Sequence, residues 1–144
     1  MARLHRGIAG ILRVKCLSPV LFLALFYTSS LSASSAREDY SRSYQKCLKV
    51  MGPIRNASVA GCAESVSDRA KTEINALYRA VHGQYLLLSP DDASKLERAQ
   101  KAWLAYRNLH CELAGQYIGS PMYYYCPMSM NIQRVSELRA LASE

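Results

Sequence analysis

The chain has little of what common catalytic and nucleic-acid-binding designs require. It has no Gly-x-Ser-x-Gly turn, no phosphate-cradling glycine loop and no His-Glu-x-x-His pair, which removes the usual local signatures of hydrolases, nucleotide binders and zinc proteases. No Cys-x-x-Cys pair occurs, so a structural zinc site has no starting point. No stretch alternates apolar and polar residues with period two for long enough to form a sheet. The longest apolar run, CLSPVLFLALFY, is about a dozen residues, short of the roughly 20 that a membrane-spanning helix needs. Acidic residues are absent from the first 36 positions altogether.

That last absence is informative together with what surrounds it. The first 15 residues hold four basic side chains, the apolar run follows, and then comes the small-residue tract TSSLSASSA. Basic start, apolar centre and small-residue end are the parts of a secretory signal peptide, expected here over residues 1–36 with cleavage near Ala36, or at Ala33. Arg13-Val14-Lys15 before Cys16 lacks the small-residue box of a lipoprotein. Loss of residues 1–36 removes four of 18 Lys+Arg and none of 11 Asp+Glu, so the formal charge falls from +7 to 14 − 11 = +3. No basic run with interleaved aromatics remains, and nucleic acid is not an expected partner. After cleavage no membrane span is left.

The same cut leaves four cysteines, Cys47, Cys62, Cys111 and Cys126. In an exported domain these read as two disulfides, for which sequence allows three pairings. Cys47–Cys62 and Cys111–Cys126 are the favoured pairs: each spans 15 residues around a Gly/Pro or Gly/Ser stretch, and closing such a loop is worth roughly 3 kcal/mol.

Four helical segments are expected over residues 37–144. Residues 39–51 form a short one, ended by Gly52-Pro53. The second runs from about Ala63 to Leu88, with Ala70, Ile74, Leu77, Tyr78, Val81, Tyr85 and Leu88 on one face. Ser89-Pro90-Asp91-Asp92 then supplies an N-cap, a proline at the first helical position and two acids at the positive end of a helix. The third helix extends to about Gln116, so the two long helices form an antiparallel hairpin. GQYIGSPMYYYCPMS reads as a loop, and a last helix from Asn131, as N-cap, to Ala142 carries Ile132, Val135, Leu138 and Leu141. The fold class is therefore all-α: a small helical bundle on a long antiparallel hairpin, stapled by two disulfides.

Within the third helix, AQKAWLAYRNLHC sets Arg107 in the apolar stripe with Leu96, Gln100, Trp103 and Ala114. Trp103, the only tryptophan, reads as core, and Gln100 as bonded to backbone. A guanidinium in that stripe needs a partner, because an unpaired buried charge costs several kcal/mol. Asp68, Glu73 and Glu137 are the candidates, Glu137 first because its helix must cover this face. The competing reading makes Arg107 a binder of an external anion. His82 and His110, without a carboxylate pattern, read as structural or surface groups, and no metal, cofactor or catalytic residue is expected.

Tyr44, Cys47 and Cys62 are followed by Ile74-Asn75-x-x-Tyr78, by Ala99-Gln100-x-x-Trp103-Leu104-x-Tyr106-Arg107-x-x-x-Cys111, and by Gly119-Ser120, Cys126 and Met130-Asn131-x-x-Arg134-x-x-Glu137-Leu138. In these residues the sequence resembles the lysozyme inhibitor LprI-like N-terminal domain family of small exported helical bacterial proteins. Two positions depart from the pattern. Lys71 stands where an acidic residue is usual, removing an obvious carboxylate for Arg107, and Asn131 replaces a threonine, read as one helix cap for another.

The resemblance implies an exported, periplasmic or secreted protein that binds lysozyme or another envelope protein without catalysis. Animal lysozymes are cationic, so a +3 chain meets net repulsion, although the lysozyme cleft carries two carboxylates that local complementarity could engage. The expected contact surface is the segment after the third helix: Tyr117, Met122, Tyr123, Tyr124 and Tyr125 lie in or beside the ring closed by Cys111–Cys126. Tyrosine and methionine offer interface area at low entropic cost, and the disulfide would preorganise them. The alternative is that these tyrosines lid a small core. Cys47, Cys62, Cys111, Cys126, Trp103 and Arg107 are expected to be structural.

Overall fold

A computed structural model describes residues 28–143, with side chains from residue 39. The expected leader over residues 1–36 lies outside the residues whose side chains are described. Four helices follow one another: α1 (Thr28–Met51), α2 (Asn56–Leu88), α3 (Pro90–Tyr117) and α4 (Met122–Ala142). There are no strands among the described residues. The expected disulfides are both formed, Cys47–Cys62 and Cys111–Cys126.

α1 stops where the sequence says it should. Gly52 takes a positive φ of 80°, a conformation that costs a side-chain-bearing residue about 1–2 kcal/mol, and Pro53 cannot continue a helix. α2 then begins at Asn56, seven residues earlier than periodicity indicates, because Ser58 closes its start: the Ser58 hydroxyl accepts from the Arg55 N–H at 2.9 Å and donates to the Arg55 carbonyl. A single residue, Ser89, separates α2 from α3, and Pro90 occupies the first helical position as expected. The Ser89 side chain does not cap the helix N–H groups. It bonds instead to the Asp92 carboxylate, which this contact and, first of all, the bond to Lys95 hold below its ordinary pKa.

The start of α4 is where the sequence reading fails. The segment expected to be a loop is helical from Met122, and only residues 118–121 connect α3 to α4. Pro127 lies inside α4. Its missing N–H deprives only the Tyr123 carbonyl, on an exposed residue in the first turn, where water can replace the donor. Asn131 is consequently not a cap: it sits in mid-helix and is fully buried.

α2 and α4 form the centre of the bundle. Ser67 pairs with Asn131 and Glu73 with Arg139, so the two helices run parallel. Cys62, Ala63, Val66, Ala70, Ile74 and Val81 of α2 pack on Met128, Ile132, Val135 and Leu138 of α4. Each large side chain so buried is worth about 1.5–3 kcal/mol. α1 adds Tyr40 and Tyr44 on one side, and α3 adds Leu96 on the other. Among the described residues α1 and α3 do not touch. The apolar stripe of α2 ends at Tyr85, which packs on the core, while Leu88, expected on that face, is exposed along with Leu86 and Leu87. No helix among the described residues is long and apolar enough to cross a membrane.

Candidate functional site

Two places in this bundle gather the residues singled out by sequence. The first is the end at which α1 and α3 finish and α2 and α4 begin. Both disulfides clamp this end, and Asn56 Nδ2 donates to Ser120 Oγ at 3.1 Å, joining the α1–α2 connection to the α3–α4 connection. Tyr125 lies against Tyr44 of α1, ring centroids 5.7 Å apart.

The five candidate contact residues are divided by the helix they belong to. Tyr117 closes α3 and is 76% exposed. Met122, Tyr123, Tyr124 and Tyr125 form the first turn of α4, where successive side chains fan out by about 100°. Tyr125 therefore turns to α1, while the Tyr123 ring lies on Gly115 of α3, so close that a methyl group there would overlap it. Met122 packs against the small cluster of Cys111, Ala114 and Cys126. Tyr124 remains half exposed. The same end carries further exposed apolar groups: Ile118, which belongs with the expected surface beside Tyr117, and Val50, Met51 and Ile54, which the sequence reading passed over. Their signal was there, as apolar residues flanking a Gly-Pro turn.

The second place is a groove of about 380 Å³ between α2 and α3, bordered by Lys71, Ile74, Asn75, Tyr78, Gln100, Trp103, Leu104 and Arg107. It unites the Ile74-Asn75-x-x-Tyr78 and Gln100-x-x-Trp103-x-x-x-Arg107 motifs, which the antiparallel hairpin brings face to face. Trp103 is partly buried, packed against the core, with the Arg107 guanidinium 5.1 Å and the Arg134 guanidinium 5.6 Å from its ring centre. Gln100 does not bond backbone. Its Oε1 accepts from Arg134 Nε at 3.0 Å, and Arg134 is paired to Glu137 at 2.8 Å.

Arg107 has none of the carboxylates proposed for it. Glu137 is held by Arg134, Glu73 by Arg139 and the Tyr40 hydroxyl, and Asp68 by Lys71. Instead Nη1 donates to Asn131 Oδ1 at 2.9 Å, while Nε and Nη2 donate to Asn108 Oδ1 at 3.1 and 2.7 Å. Asn131 passes the connection on, its Nδ2 donating to Ser67 Oγ at 2.8 Å. One neutral amide on α4 thus bonds a partly buried group on α3 and a buried one on α2, linking three helices. Burial pulls the Arg107 pKa below its ordinary value, and no nearby carboxylate opposes that.

His110 stacks on Tyr106, and His82 lies tilted against Tyr78, each one helical turn away. Among the described residues no three His, Cys, Asp or Glu side chains are grouped so as to hold a metal ion.

Neither the curated proteins nor the solved structures compared with the chain include a significant match. A family model described as lysozyme inhibitor LprI matches residues 47–138, a span that opens on the first disulfide cysteine and contains the other three together with Trp103, Arg107 and Asn131. With well over half of its length matched, this chain belongs to the LprI lysozyme inhibitor family.

Proposed function

We propose that the protein is an exported, periplasmic binding protein that inhibits a lysozyme by stoichiometric contact, without catalysis, through the disulfide-clamped end of the bundle. The observation that carries this reading is the set of exposed apolar and aromatic groups in and beside two adjoining connections: Ile54 with Val50 at the end of α1, and Ile118 with Tyr117 at the end of α3 and Tyr123 and Tyr124 at the start of α4. A cluster of this kind on a small domain marks a contact surface. The disulfides and the Asn56–Ser120 bond hold it in place before a partner arrives, which lowers the ordering cost of association. Two disulfides also fit an oxidising compartment.

The second reading is an envelope domain that binds another protein or a cell-wall fragment without inhibiting lysozyme. The cationic groove beside Trp103 favours it. The deciding experiment adds the oxidised protein in excess to lysozymes of several types acting on a peptidoglycan suspension and follows clearing. Inhibition that is lost in Tyr117→Ser/Tyr124→Ser supports the first reading. Unchanged lysis with every lysozyme removes it.

A further inference from the structure

The groove between α2 and α3 holds a charge without a counter-charge. Three cations lie around Trp103: Lys71 is paired with Asp68 at 2.8 Å, Arg134 with Glu137 at 2.8 Å, and Arg107 with no carboxylate among the described residues. A guanidinium offers five N–H donors. Three are engaged, by neutral amide oxygens, which leaves two for another acceptor. The walls around it are apolar or aromatic: Ile74, Tyr78, Trp103 and Leu104. The volume is at the small end of the range typical of small-molecule sites, roughly 300–1,000 Å³, which are mainly apolar with a few fixed polar groups.

We propose that this groove is a binding site for a small amphipathic carboxylate, the acid seated on Arg107 and its apolar body lying along Trp103, Tyr78 and Leu104. A carboxylate supplies what the site lacks. It is the acceptor for which guanidinium geometry is best suited, and it neutralises a partly desolvated cation that the fold leaves unpaired. Gln100 and Asn75 add polar groups at the groove, and Lys71 keeps its rim positive. Asn131 and Asn108 hold the guanidinium in position ahead of binding, as a preorganised site requires. Such an acid could be the free terminus of a short peptide or a fatty acyl chain. Both present the same chemistry to Arg107. This site is separate from the tyrosine-bearing end and stands or falls independently of lysozyme inhibition.

Trp103 makes the proposal directly measurable. As the only tryptophan in the chain it reports by its own fluorescence on anything that enters the groove. The oxidised protein is titrated with N-acetyl-alanyl-phenylalanine and with decanoate, each beside its uncharged counterpart, the peptide amide and decanol. A saturable change with either acid, at least tenfold tighter than with its counterpart, supports the site, and the acid that binds identifies the source. Arg107→Gln should weaken that acid at least tenfold. Because the substitution also touches the Asn131 network, Lys71→Glu is the companion variant: it sets a carboxylate in the same groove from an exposed position and should remove binding while melting as the wild type does. Equal responses to acid and neutral probe, no response to any probe, or acid binding that survives both substitutions overturns the proposal.

Discussion

Arg107 and Asn131 are joined by a 2.9 Å hydrogen bond between α3 and α4, and the second half of the same amide reaches Ser67 on α2. The amide itself is fully buried; its bond to Ser67 is made inside the core, and its bond to Arg107 is partly buried. Asn131→Leu leaves both a guanidinium N–H and a serine hydroxyl without this partner, at about 1–3 kcal/mol for each orphaned group. The expected loss is roughly 3 kcal/mol, seen as a lower denaturant midpoint. Asn131→Asp behaves differently: it gives Arg107 a carboxylate and can still accept from the Ser67 hydroxyl, so stability is kept or raised. A leucine variant as stable as the wild type would show that the network is not structural.

The two disulfides close loops of equal sequence separation, 15 residues each. In the chain-entropy account each contributes about 3 kcal/mol. Cys47→Ser/Cys62→Ser and Cys111→Ser/Cys126→Ser should therefore destabilise by similar amounts. Their effects on binding should differ. Only the second pair ties α3 to α4, at the residue that follows its first turn, so its removal should weaken partner binding at the tyrosine-bearing end beyond what its melting temperature accounts for. Parallel thermal melts and binding titrations of the two double variants separate these effects.

Tyr40 provides a pH signature. Burial first, then its hydrogen bond to the Glu73 carboxylate and the charge of that carboxylate, push the phenol up to about 12 from an ordinary value near 10. The folded state thus holds the proton more tightly than the unfolded one. The sign follows: this contribution is complete below about pH 10, declines as pH rises through the interval, and is gone above about 12. Burial, and then the neighbouring Tyr125, raise the Tyr44 phenol as well, so phenolate absorbance should show a late phase that Tyr40→Phe reduces at its high-pH end, and the variant's stability should fall less steeply across that interval. An unchanged titration curve would place the last phenol elsewhere.

What could be read from the chain, and what could not, divides along local and distant causes. The α2–α3 hairpin was legible because Ser89-Pro90-Asp91-Asp92 acts within one turn, and the cysteine pairing because both pairs close short loops across recognisable turns. Asn131 was misread because its own preference for caps is a local property, whereas its partners Ser67 and Arg107 lie 64 and 24 residues away. The segment holding Pro127 was read as a loop for the same reason, although Pro127 lies inside α4. Its cost depends on how far it stands from the helix start, and that start is set by the Gly119-Ser120-Pro121 turn six residues before it. The carboxylate sought for Arg107 failed on competition: all three candidates were real ion-pair partners, but of nearer cations.

Gly115 tests whether the tyrosine-bearing end is a binding surface or only a lid. Alanine there collides with the Tyr123 ring, including its Cγ, which no rotation of the far end of the side chain can relieve, so the ring must leave α3. Replacing glycine inside a helix gains about 1 kcal/mol of propensity, which offsets much of the lost packing of a ring already half exposed. Gly115→Ala should consequently melt within about 1 kcal/mol of the wild type while its affinity for the partner, read as lysozyme inhibition, falls several-fold. Gly61→Ala is the control, since nothing lies within 4 Å of a methyl group at that exposed helical position. It should gain about 1 kcal/mol and leave inhibition unchanged. If Gly115→Ala inhibits as the wild type does, the geometry of Tyr123 is irrelevant to binding, and the contact surface must be sought among Ile54, Val50, Tyr117, Ile118 and Tyr124.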